Sequence, residues 1–122
     1  MIYKLQLRAS DLLEQEWELI YYATDSGSIP FREWFEELSD FKAQSVIDSR
    51  LIRLRLGNFG KCAPVGTGIF ELKIDYGPGY RVYFGRVASK MILLLCGGNK
   101  ATQTNDIRSA QLYWQHYRRR RK

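Results

Sequence analysis

The chain has 122 residues, 45% of them hydrophobic and 14% aromatic, which fits one compact domain with a single core and excludes low-complexity disorder. The longest apolar run, Met91 to Cys96, has the length of a buried strand and falls far short of a membrane span. The formal charge of +6 is unevenly shared: residues 1–60 hold seven basic and ten acidic residues, residues 61–122 twelve basic and three acidic (Glu71, Asp75, Asp106).

An acidic first half and a basic second half point to a polyanion partner for one face, although a solvated basic tail with ordinary surface lysines gives the same count. Five of the positives form the run Arg118, Arg119, Arg120, Arg121 and Lys122, expected to be a mobile C-terminal tail over 118–122. The first residues mix Lys4, Arg8, Asp11 and Glu14 among apolar ones, unlike a signal peptide, so a cytoplasmic chain with two reduced thiols, Cys62 and Cys96, is expected. His116 is the single histidine, which argues against histidine-rich metal sites and histidine-based triads; no metal or cofactor is expected.

In chain order, residues 1–16 read as an extension in which Tyr3, Leu5 and Leu7 alternate and Ser10 could cap a short helix. From residue 17, Trp17, Leu19 and Tyr21 alternate with Glu18, Ile20 and Tyr22, predicting a strand that stops at the turn formers Thr24 to Ser28. Pro30 suits a first helical turn, and Phe31, Trp34, Phe35, Leu38 and Phe41 form the apolar stripe of the helix that follows. Asp40 caps a second helix with the stripe Ala43, Ile47, Leu51 and Leu54, ended by Gly57, Asn58 and Gly60. A glycine-rich loop over 60–68 precedes three strands. Phe70, Leu72 and Ile74 alternate with Glu71, Lys73 and Asp75; after the Gly77-Pro78-Gly79 turn, Tyr80, Val82 and Phe84 alternate with Arg81, Tyr83 and Gly85; Met91 to Cys96 is apolar throughout, as in a central strand. A last helix spans Asp106 to Tyr117, with Ile107, Ala110, Trp114 and Tyr117 on one stripe.

The predicted class is α+β, in the order β-α-α-β-β-β-α: a small antiparallel meander with a helical hairpin and a C-terminal helix packed on one face. Strand alternation then displays Glu71, Lys73, Arg81 and Tyr83 on an uncovered face, with Lys100 at its rim. Ordinary polar residues on a half-exposed sheet account for the same pattern.

These residues carry a resemblance. Tyr21-Tyr22 through Pro30-Phe31-Arg32-Glu33-Trp34, then Phe70-Glu71-Leu72-Lys73, the block Gly77 to Phe84, and Leu93 to Lys100 with Gln103 to Ala110 resemble the RelE/ParE superfamily of bacterial toxins. The likeness is nearest to its HigB-like or phage-derived addiction-module-killer branch, and it covers residues 17–117. It implies a type II toxin neutralised by a cognate antitoxin, often a helix-turn-helix protein, that cleaves mRNA on the ribosome without metal. The chemistry implied is attack by a ribose 2′-OH on the adjacent phosphate, which needs a base, cations for the phosphate and an acid for the leaving oxygen. By the resemblance Lys73 is the base, its pKa lowered by neighbouring cations. Arg81 matches the phosphate-binding arginine, and Lys100 stands near a further cationic position. Tyr83 could replace a missing aromatic or acid, or simply pack. Asp106 falls near the place of the C-terminal tyrosine of the ribonuclease branch, as an acid or a structural residue. Arg118 to Lys122 would add attraction for RNA. The alternative from the same superfamily is a non-enzymatic inhibitor of DNA gyrase, and a remnant that only binds antitoxin or nucleic acid is a third reading.

Overall fold

The computed structural model describes residues 16–121; the expectations for residues 1–15 and for Lys122 lie outside them. The described residues are α+β, with five strands and three α-helices. In chain order they are β1 (Glu18–Tyr21), α1 (Pro30–Glu36), α2 (Phe41–Arg55), β2 (Cys62–Gly66), β3 (Ile69–Ile74), β4 (Tyr80–Ala88), β5 (Met91–Asn99) and α3 (Gln103–Arg120). The sheet runs β1-β5-β4-β3-β2. Strands β3 to β5 form the expected antiparallel meander, β2 extends it by pairing with β3, and β1 adds to β5 in parallel, so the sheet has five strands where the predicted order has four and is mixed. None of the described helices is long and apolar enough to cross a membrane.

The expectation that all helices share one face is not met. Phe31, Ala43, Ile47 and Leu54 of α1 and α2 pack with Leu72, Ile74, Val82, Phe84, Ile92 and Leu94 on one side of the sheet. On the other, Ala110 and Trp114 of α3 pack with Ile69, Tyr83, Leu93, Leu95 and Cys96. Alternation of the strands therefore feeds two cores, and the face predicted to be open lies under α3. The apolar stripe of that helix had to be buried somewhere, and the hairpin already occupies the first face.

Three local features depart from the sequence reading. The first helix ends at Glu36, because Asp40 caps the next one by accepting from Lys42 N and Ala43 N. Gln44 donates to the carbonyls of Phe35 and Leu38, satisfying groups freed at the end of α1. Phe41 thereby leaves the apolar stripe and stands 79% exposed. The glycine-rich loop contains β2, an edge strand in which Pro64 is tolerated because a proline lacks the N–H that a central strand would need. The last helix starts three residues early and continues through Arg120, so Arg118 to Arg120 are helical rather than a mobile tail.

The end of α3 is tied to the loop after β1. Tyr22 donates its hydroxyl to His116 Nδ1 (2.5 Å), and His116 Nε2 donates to Asp25 (3.0 Å), a chain that one imidazole tautomer satisfies. Arg120 donates to the Ala23 carbonyl and lies 3.6 Å from Asp25.

Gly97 and Gly98 on β5 let helices approach from opposite sides. A Cβ on Gly97 would come within 2.3 Å of the Trp34 ring of α1; one on Gly98 would come within 1.7 Å of Asp106 Oδ2 of α3. Gly97→Ala is expected to cost about 1–3 kcal/mol through overpacking, read as a lower urea midpoint with an unchanged m-value. The thiols give a second expectation. Burial pushes Cys96 up to about 12, with the Asp106 carboxylate adding to the rise, and burial also raises the half-buried Cys62. At pH 8 a disulfide reagent should titrate Cys62 slowly and Cys96 only on unfolding. Because the folded state holds the Cys96 proton beyond the ordinary value near 9, this group's contribution to stability is complete below pH 9 and declines from there towards pH 12.

Candidate functional site

The antiparallel register places the predicted residues in rows on the α3 side of the sheet. Lys73 is directly opposite Arg81, and Arg81 is opposite Gly98; Glu71 is opposite Tyr83, and Tyr83 opposite Cys96. Neighbouring positions in a row are about 5 Å apart. The first row lies at the end of the sheet beside the Gly77-Pro78-Gly79 turn, where Lys73 is exposed. Lys100 follows β5 in a single 3₁₀ turn, and its Cβ lies 3.7 Å from the position that a Gly79 Cβ would take. The structure thus gathers Lys73, Arg81 and Lys100 at one end of the sheet.

Arg81 is held rather than free. It is 8% exposed, its Nη1 donates to the Gly79 carbonyl at 2.6 Å, and its Nε lies 3.7 Å from Glu71 Oε2. Glu71 is 2% exposed and accepts from the Tyr83 hydroxyl (3.0 Å) and from Gln103 Nε2 (2.8 Å) in the first turn of α3. A buried carboxylate is tolerable only with such donors and a countercharge.

Tyr83, expected on an open face, is fully buried. Burial first, and the Glu71 hydrogen bond second, raise its pKa far above the ordinary phenol value. Its proton is committed to Glu71, so it packs and positions instead of acting on a ligand. Asp106 overlies Gly98, beside Arg81 in the row, and accepts from Thr102 Oγ1 at 2.5 Å, which braces the first turn of α3. That contact favours its structural reading. Arg118 to Arg121 are not part of this cluster: they belong to the other end of α3.

Glu71 and Gln103 are the residues whose roles the sequence reading missed. The signal was present in the apolar stripe of α3, which demands a sheet face and so buries whatever that face carries.

Removing Arg81 leaves Glu71 buried without its countercharge. Arg81→Ala is expected to lose about 3–5 kcal/mol of stability, and adding Glu71→Gln should restore most of it. A double-mutant cycle by urea denaturation checks this; additive effects of the two substitutions would show that the pair is not coupled.

No family model matches the chain. Over 85 residues it is 45% identical to a protein of Haemophilus influenzae described as uncharacterized, a match that takes in 70% of this chain and 86% of that protein. At this identity and coverage the chain belongs to the same family as the Haemophilus influenzae protein.

Proposed function

We propose that this chain is a RelE/ParE-like toxin that cleaves translated mRNA on the ribosome and is held inactive by a cognate helix-turn-helix antitoxin. The observation that supports the reading is the Lys73–Arg81 pair. Glu71 accounts for Arg81, but a like charge directly opposite on the neighbouring strand costs stability, and a site that must meet a phosphate is a reason to keep Lys73 there. Lys100 at the same end adds a third cation.

In this reading Lys73 takes the proton of a ribose 2′-OH. The oxygen attacks the adjacent phosphorus while the Arg81 guanidinium meets the charge gathering on the non-bridging oxygens. Since Gly79 and Glu71 fix that guanidinium beforehand, little reorganisation is needed as the charge develops. The P–O5′ bond breaks, and the leaving oxygen takes a proton from the Lys100 ammonium. The products are a 2′,3′-cyclic phosphate and a 5′-hydroxyl. An inhibitor that acts on gyrase by binding alone has no use for cations aligned in this way.

Expressed without its antitoxin, the protein should arrest translation and generate new 5′ ends inside codons, mapped by primer extension. Cleavage should survive EDTA where ribosome integrity is controlled. Lys73→Ala, at an exposed position, should leave the melting temperature unchanged and slow single-turnover cleavage about 10²–10³-fold. Arg81→Lys, which keeps a charge beside Glu71, should slow it comparably. Intact mRNA with arrested gyrase would replace this reading by the inhibitor, and normal cleavage by a folded Lys73→Ala variant would remove Lys73 from the chemistry.

A further inference from the structure

From α2, on the side of the sheet away from α3, one arginine reaches the backbone of the candidate site. Arg50 Nη1 donates to the Lys73 carbonyl at 2.8 Å. The bond fills a gap in the strand ladder. Lys73 N–H donates to the Lys61 carbonyl at 2.9 Å, and β2 begins only at Cys62. In a regular antiparallel pair the two residues would exchange a second bond, from Lys61 N–H to the Lys73 carbonyl. Here Arg50 supplies the donor for that carbonyl.

The guanidinium sits in a space that a side chain at residue 60 would close. Gly60 has a φ of +58°, and a Cβ there would stand 2.6 Å from Arg50 Nη2. The Lys61 ammonium pairs with Asp75 and so ties this loop to the end of β3. Arg50 Nη2 is enclosed and has no hydrogen-bond partner, which costs stability. Stability alone therefore does not recommend an arginine here.

We infer that Arg50 is a positioning residue for Lys73, fixing the end of β3 so that the lysine is presented beside Arg81; this rests on the nuclease reading above. Arg81, directly opposite in the register, is fixed through its own side chain by Gly79 and Glu71. Lys73 is exposed, and among the described residues its ammonium forms no ion pair. Its placement depends on the backbone that carries it. Strand ends with unbonded backbone open readily, and moving a reacting group by about 1 Å can slow a reaction about 10²-fold. With its N–H and its carbonyl both bonded, Lys73 stays in register opposite Arg81. Arg50 acts through Lys73 and touches no reacting atom.

The test uses the full chain, translating ribosomes and single-turnover cleavage at saturating protein, with R50M, K73A and their combination. R50M removes the donor and keeps the stem. It should slow cleavage about tenfold and leave the protein concentration for half-saturation unchanged, because the phosphate-binding cations remain. R50K keeps a donor for the carbonyl and should recover most of the rate. Added to K73A, R50M should have no further effect, since removal of Lys73 leaves Arg50 nothing to place. A general loss of structure would slow both backgrounds alike. Normal cleavage by a folded R50M variant, or a loss of the same size in the K73A background, would overturn the inference. If R50M does not fold, G60A takes its place in the cycle, because a Cβ at residue 60 displaces the guanidinium without removing it. A parent that cleaves no mRNA ends the nuclease reading and leaves Arg50 no reaction to support. A parent that cleaves, beside an R50M variant that cleaves as fast, ends the Arg50 inference alone.

Discussion

The Glu71 carboxylate is the constraint around which one end of the molecule is organised. Once α3 lies over the sheet, Glu71 is enclosed, and an enclosed carboxylate needs donors and a positive charge. Tyr83 and Gln103 supply the donors, from β4 and from the first turn of α3. Arg81 supplies the charge. Glu71 thus fastens helix to sheet through Gln103 and fixes the Arg81 guanidinium in the row beside Lys73. Stability and placement of the candidate site are not separable here: a substitution at Arg81 acts on both, whereas one at Lys73 acts on a side chain the core does not use.

The close approach that makes this possible depends on the absence of side chains at two adjacent positions. Gly97 admits Trp34 from α1, and Gly98 admits Asp106 from α3, because successive residues of a strand face opposite ways. Asp106, pressed over Gly98 and bonded to Thr102, sets where α3 begins, and Gln103 is carried onto Glu71 by that start. A pair of glycines that reads in sequence as a strand terminator is instead strand interior, with β5 running on to Asn99.

Much of this was legible in the sequence. Period-two alternation in 69–75 and 80–85 gave the two strands and the face shared by Lys73 and Arg81, and the stripe Ala43, Ile47 and Leu54 gave α2 and the core it enters. The parallel pairing of β1 with β5 was not legible, because nothing local in residues 18–21 distinguishes a partner some seventy positions away. Strand β2 was hidden by Pro64 and its flanking glycines, whose turn chemistry outweighs a short edge pairing. The exposure of the site was misjudged for another reason. The polar residues Glu71, Arg81 and Tyr83 suggest a solvated face when taken strand by strand. The stripe of α3, which shows that the face is covered, lies in a different part of the chain.

The run of arginines at the end of the chain illustrates the same limit and what lies past it. Composition predicts solvated, mobile charge over 118–122. Yet Trp114 and Tyr117 each stand four residues before Arg118 and Arg121, the spacing that puts side chains on one face of a helix. Each arginine can therefore settle on a ring of the preceding turn, and cations are favoured at a helix C-terminus in any case. Arg120 falls on another side, where Tyr22 and Asp25 receive it. Helical periodicity thus sorts one basic run into two roles. Arg120 is used to hold α3 against the loop after β1, and Arg118 and Arg121 rest on the Trp114 and Tyr117 rings. A uniform tail would offer its charges with equal mobility; here two arginines are placed by the rings of the preceding turn and one by an ion pair, so the geometry of the helix, and not the composition of the run, decides where each charge stands.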